Sequence, residues 1–312
     1  MNEDYPKTLL EMERRFATED ACREYLTQLR WGAGFTCPAC QGKVGWPDRR
    51  HRWTCQRCRR QSTVTAGTIF EGTHLPLQVW FRAVWLITSQ KSGASALGLQ
   101  RVLGLGSYET SWLGLHKLRR AMVRPGRDRL NGTVEVDEAF IGGVSSGTGR
   151  DGVGKALVVI AAEEDGPGIG RIRLARVADG STPSLHGFIQ QAITPGSTVH
   201  TDGWAPYQGL EKLGYGHTIT RLKGRGKEAA VELLPRVHRV ASLLKRWLLG
   251  THQGAVGPMH LEDYLNEFTF RFNRRRSASR GKLFFRLLEQ AVQVPPTTYE
   301  TIVGKNPQVI VA

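Results

Sequence analysis

Four cysteines, Cys37, Cys40, Cys55 and Cys58, read C-x2-C-x14-C-x2-C. Each C-x-x-C can fold into a tight knuckle that turns two thiolates to one side, and two facing knuckles supply the tetrahedral four-sulfur set that Zn²⁺ favours. A structural zinc site is the expectation. Two disulfides or a thioredoxin-like redox pair are the competing readings. A redox pair needs no second pair at this distance, and the opening MNEDYPKTLLEMERRF has no apolar secretory segment. Cys22, left over, falls in a helical pattern with Tyr25 and Leu26 and reads as a buried thiol.

Two aspartates carry a second chemistry. Asp137 lies in VEVDEAF, where strand alternation sets Val134 and Val136 on one face and Glu135 and Asp137 on the other. Asp202 closes TVHTD just before Gly203 and Trp204, so its carboxylate projects from a strand end. Two acids on neighbouring strands repel, and burying them together is costly unless a cation lies between them, which is the outline of a two-metal site. Taken singly, either aspartate is a cap or turn residue, and Asp202 is well placed to cap a helix. Beyond the basic stretch RLKGRGKEAAVELLP, the helical pattern RVHRVASLLKRWLLG carries His238 and Lys245 seven residues apart, nearly two turns, so they share a face. Between Asp202 and His238 lie 35 residues.

The chain has 312 residues and a net charge of +15, with basic clusters at Arg49 to Arg52, Arg57 to Arg60, Arg221 to Lys227 and Arg271 to Arg280. Clustering of one sign points to a polyanionic partner; a merely solubilising surface would mix signs more evenly. The longest apolar stretch, VWFRAVWLI, is short and holds Arg82, so no membrane span and a cytoplasmic protein are expected. Trp112, Trp204 and Trp247 are core candidates, and Trp204, just after Asp202, is also placed to stack on a base.

These residues need elements to position them. Residues 8–30 read as short amphipathic helices, with Thr18 to Asp20 offering a cap, ahead of a zinc ribbon whose short strands lie in HRWTC and STVTAGTIF; together they make a domain over residues 1–72. Three helices in residues 73–124, the last opened by Ser107, suggest a helix-turn-helix DNA-binding segment or a plain helical linker. After the turn-rich PGRDRLNG, the strands TVEVDEAFIGG, KALVVIAAEED and GRIRLARVAD, the helix SLHGFIQQAI, the strand STVHTD and a helix over WAPYQGLEKL describe an α/β domain with a mixed sheet flanked by helices, residues 130–290; a tail spans 291–312. The glycine-rich stretch 142–156 lacks the G-x4-G-K-[ST] spacing and reads as a hairpin connection.

The order zinc ribbon, helical segment, VDEAFIGG, HTDGWAPY, HRVASLLKRWLLGTHQGAV and YLNEFTFRFNRR resembles bacterial insertion-sequence transposases with an N-terminal zinc ribbon and a DDE-type, ribonuclease-H-like catalytic domain, over residues 20 to 290. The resemblance implies double-stranded DNA as partner, a homo-oligomer on paired element ends, and a nucleoid-associated enzyme that cuts and joins strands with Mg²⁺ or Mn²⁺. It implies Asp137 and Asp202 as catalytic metal ligands and Lys245 as the trailing base. Its third ligand, a Glu or Asn, falls here on His238. Imidazole suits Mn²⁺ better than Mg²⁺, so a histidine ligand would shift metal preference. His238 as an ordinary helix residue stays open, and Glu232, Glu262 and Glu267 are rival carboxylates, although Glu267 has Arg271 one turn away. In the implied mechanism Asp137 bridges two ions, Asp202 and His238 each hold one, and Lys245 meets a phosphate. Arg57, Arg59, Arg60, Arg274 and Arg275 are the candidate DNA contacts. A catalytically inactive, transposase-derived DNA-binding protein and a nuclease that cuts without joining remain alternatives.

Overall fold

The computed structural model describes residues 3–124, 126–142, 155–220, 234–254 and 256–304. The chain forms two compact units, residues 1–125 with 276–312, and residues 126–275.

In the first unit, helices α1 (Leu9–Arg15) and α2 (Glu19–Trp31) are opened by Thr8 and Thr18, whose hydroxyls accept the Glu11 and Ala21 amides. A small antiparallel sheet follows in the order β1 (Gly45–Pro47), β2 (Trp53–Cys55), β3 (Gln61–Ser62). Its core is aromatic: Phe35 stacks on Trp53 with ring centroids 5.1 Å apart, and Trp31 meets Phe35 edge-on at 5.0 Å. A Cβ at Gly45 would lie 2.6 Å from the Phe35 ring, so only glycine allows this close approach. The stretch STVTAGTIF, expected as a strand, is extended only through Ser62. Beyond it the Ala66 and Thr68 amides bond back to the Thr63 and Thr65 carbonyls, and Gly67 takes φ 73°, so the chain turns repeatedly instead of pairing.

Helices α3 (Leu77–Ser89), α4 (Ala96–Leu103) and α5 (Tyr108–Ala121) match the three predicted ones. Ser95 and Ser107 cap α4 and α5, and Gly104 ends α4 in the left-handed conformation at φ 64°. The helix Arg280–Ala291 packs in this unit as well: fully buried Phe284 lies 5.7 Å from both Phe81 and Trp85, ring to ring. It falls within the 130–290 stretch read as one domain, but its apolar face completes the α3 core, and the second unit closes at Arg275.

The second unit is a five-stranded mixed sheet in the order β6-β5-β4-β7-β8, formed by β4 (Thr133–Ile141), β5 (Ala156–Asp165), β6 (Gly168–Val177), β7 (Thr198–Thr201) and β8 (Gly216–Ile219). The first three are antiparallel; β7 and β8 run parallel to β4. Helix α6 (Thr182–Ala192) covers one face with Val134, Val136, Val159 and Val199, and α7 (Pro235–His252) and α8 (Leu261–Asn273) cover the other with Val158, Ile160 and Ile172. This is the ribonuclease-H-like α/β layering that the sequence predicts. The expected WAPYQGLEKL helix is instead two short 3₁₀ turns, Ala205–Tyr207 and Leu210–Leu213, because Gly209 at φ 89° interrupts any continuous helix. The chain then adds β8, which the sequence reading missed. Residues 143–154 of the glycine-rich stretch 142–156, expected as a hairpin connection, and the basic run Arg221 to Lys227 lie outside the described residues.

Candidate active site

Strand alternation sets Asp137 on the α7 face of β4, as its spacing required, and the parallel pairing with β7 supplies its neighbour. Val134 lies beside Val199 and Glu135 beside His200; carrying that register on by two residues sets Asp202, the first residue past β7, beside Asp137. Asp202 Oδ1 accepts the Trp204 amide at 2.9 Å, a turn that steers the chain out of the strand. The turn role foreseen for Asp202 is therefore present, though no α-helix follows it.

The first turn of α7 completes the cluster. His238 Nδ1 stands 3.8 Å from Asp137 Oδ2, and Nε2 of the same ring is buried without a hydrogen-bond partner among the described residues. Burial pushes the Asp137 carboxyl up to about 6; His238 and the Glu138 amide oppose the shift, and Asp202 and Glu135 add to it. Glu138, on the opposite face of β4, is pushed up to about 7 by burial, against the Tyr207 hydroxyl that donates to its Oε2 and with Asp137 and Asp202 acting in the same direction as burial. Three carboxylates thus crowd the exits of β4 and β7 with their negative charge undercompensated. Two carboxylates and an imidazole with an orphaned nitrogen suit a divalent cation with a mixed oxygen and nitrogen set, and a cation would reverse those shifts. Glu138 was not singled out from sequence; the paired acids in VDEAF were the signal, but its partner Tyr207 lies 69 residues on.

The four cysteines form a second cluster, with ligand atoms within 4.8 Å of one another. Cys37 Sγ lies 3.7 Å from Cys58 Sγ, and Cys40 Sγ 3.6 Å from Cys55 Sγ. Those separations are near the edge of a sulfur tetrahedron with arms of about 2.3 Å, and far from a disulfide of about 2.05 Å. The knuckles repeat each other. Gln41 and Arg59 amides bond to Cys37 and Cys55 carbonyls, both at 3.0 Å, and both residues take the left-handed conformation, at φ 60° and 59°. The cysteines fit Zn²⁺, and the disulfide reading is set aside.

Residues 129–273 match the family of the ISXO2-like transposase domain, and residues 17–61 match the transposase zinc-ribbon domain. Both matched stretches are transposase domains. The chain is similar to a Halobacterium salinarum protein described as "Uncharacterized protein in transposable element ISH50", 26% identical over 279 residues that span 83% of this chain and 92% of the relative.

The remaining expected site residues divide into exposed and engaged. Lys245 is exposed on α7, and Arg57, Arg59 and Arg60 are exposed around Cys58. Arg275, expected on DNA, instead donates to the carbonyls of Gly170, Phe272 and Ile169, tying the end of α8 to β6; Arg274 lies over the Phe270 ring at 3.9 Å and donates to the Phe270 carbonyl. Both guanidinium groups are anchored to backbone carbonyls and remain half-exposed. Among the rival acids, Glu262 accepts the Arg176 amide at 3.1 Å, and fully buried Glu267 faces Arg271 at 3.5 Å, the helical ion pair its spacing suggested. Glu232 lies outside the described residues. Trp204 is exposed, with its ring seated against Gly180, where an added Cβ would come within 2.4 Å of it; Trp247 is buried.

Proposed function

We propose that this chain is a DNA transposase that binds the double-stranded ends of its insertion sequence and catalyses divalent-metal-dependent strand cleavage and strand transfer. The observation that carries the reading is the 3.8 Å approach of His238 Nδ1 to Asp137 Oδ2, with Asp202 near enough to help raise the Asp137 carboxyl. These three residues would hold catalytic Mg²⁺ or Mn²⁺. Such ions, when bound, make a water or a 3′-hydroxyl nucleophilic and offset charge on the leaving oxygen.

The chain's own residues bind and orient the DNA. Lys245, on the His238 face of α7 and exposed, meets a phosphate beside the scissile bond. Arg57, Arg59 and Arg60 take phosphates of the element end from a knuckle fixed by Zn²⁺ on Cys37, Cys40, Cys55 and Cys58. Paired ends call for a homo-oligomer, and the setting is the nucleoid in the cytoplasm. Among the described residues no helix is long and apolar enough to cross a membrane.

The test is incubation of the full chain with DNA bearing the element ends and Mg²⁺ or Mn²⁺. Joined products from the wild type, lost in Asp137→Ala and Asp202→Ala while end binding persists, support the reading. Cutting without joining assigns a nuclease, and binding without cutting assigns an inactive DNA-binding protein.

A further inference from the structure

Glu135 is a carboxylate with no exposed surface in the middle of a strand, a placement that is unfavourable unless every oxygen is matched. Its matches all come from the start of α7. Oε2 accepts the backbone amides of Arg236 at 2.7 Å and Val237 at 2.9 Å, and Oε1 accepts the Arg236 guanidinium at 2.8 Å. The helix has no capping side chain of its own at Leu234, and its first residue is Pro235, which has no amide hydrogen. The amide of His238 makes the first bond inside the helix, to the Leu234 carbonyl at 3.3 Å. Glu135 therefore takes every donor that the first turn leaves open, and its charge sits at the positive end of the helix.

Arg236 extends the grip to the β5–β6 hairpin. Its guanidinium also donates to the carbonyls of Gly168 at 3.0 Å and Gly166 at 2.8 Å and to the Glu164 carboxylate at 3.1 Å. Two residues beyond Glu135 on the strand stands Asp137, and two residues beyond Arg236 on the helix stands His238. A clamp at the first pair fixes the spacing of the second.

We propose that Glu135, with Arg236, is the positioning residue of the active site: it docks the start of α7 on β4 so that His238 meets Asp137 as a ligand pair. The inference rests on the proposed metal-dependent reading of that site. Supporting groups of this kind orient metal ligands, and their loss commonly lowers metal affinity or activity by about 10- to 100-fold.

The experiment uses zinc-loaded full-length protein and Mn²⁺ alone as the probe, with bound and free Mn²⁺ read by electron paramagnetic resonance well below each variant's melting temperature. Glu135→Gln keeps an acceptor oxygen but loses the charge; Arg236→Met keeps the amide contacts and removes the guanidinium, and it serves if Glu135→Gln fails to fold. The expected result is Mn²⁺ affinity about tenfold or more weaker in Glu135→Gln, and less affected in Arg236→Met, with end binding unchanged and cleavage lowered in kcat rather than in KM for DNA. Wild-type Mn²⁺ affinity in a folded Glu135→Gln, with only its melting temperature reduced, overturns the inference and leaves Glu135 a stability residue. Asp137→Ala and His238→Ala are the reference: if neither weakens Mn²⁺ binding, the reading of the site itself fails, and the clamp's role fails with it.

Discussion

Glu138 and Tyr207 form a buried pair beside the candidate site, the phenol hydroxyl donating to a carboxylate that burial drives up to about 7. The hydrogen bond opposes that rise, so it matters most when Glu138 is ionised. Tyr207→Phe is predicted to destabilise the metal-free protein by about 1–3 kcal/mol at pH 8, where Glu138 is charged, and by less at pH 5, where it is protonated. Urea unfolding at both pH values checks this; equal losses would contradict it.

Asp137 adds its own pH dependence. Its folded value of about 6 lies above the ordinary 3.8, so near pH 5 the folded chain holds a proton that the unfolded chain has released. Stability from this group is therefore greatest below about pH 4 and falls as pH rises through about 6. Asp137→Asn removes the effect. The variant is predicted to gain stability relative to wild type across this interval in metal-free unfolding experiments, with the difference levelling off above about pH 7. A difference independent of pH would show that Asp137 is not held at a raised value.

Zinc removal acts on the other unit. The ribbon core of Trp31, Phe35 and Trp53 is small and depends on the thiolate set for its shape. Cys55→Ser is predicted to lose stoichiometric zinc, change tryptophan fluorescence and abolish binding of element ends, while Mn²⁺ affinity at the Asp137 site is retained. Metal analysis and a gel-shift titration read the two effects separately.

Lys245→Ala probes the DNA path along α7. Loss of one phosphate contact is predicted to weaken binding of all sequences alike and to lower the slope of log affinity against log salt by about one. An unchanged slope would place Lys245 off the DNA.

Local periodicity made much of the fold legible. The alternation in VEVDEAF set Asp137 and the valines on opposite faces, and the apolar spacing in α7 put His238 and Lys245 on one side. The missing features were those in which one side chain answers a distant one. Glu135 caps a helix about a hundred residues away, at a separation of 101 for the Arg236 amide, and Arg275 reaches the Gly170 carbonyl across 105 residues. A run of arginines in sequence shows charge but not which guanidinium groups the backbone will claim. Strand β8 was hidden because GHTI is short, half polar and preceded by Gly214 at φ 83°.

The most direct measurement is strand joining on DNA carrying the element ends, comparing wild type with His238→Ala in Mg²⁺ and in Mn²⁺. The predicted result is joining by the wild type, stronger in Mn²⁺, and a loss of about a hundredfold or more in His238→Ala, the equivalent of about 3 kcal/mol of transition-state stabilisation. Wild-type rates in His238→Ala, with Asp137→Ala inactive, would contradict the assignment of the histidine as third ligand.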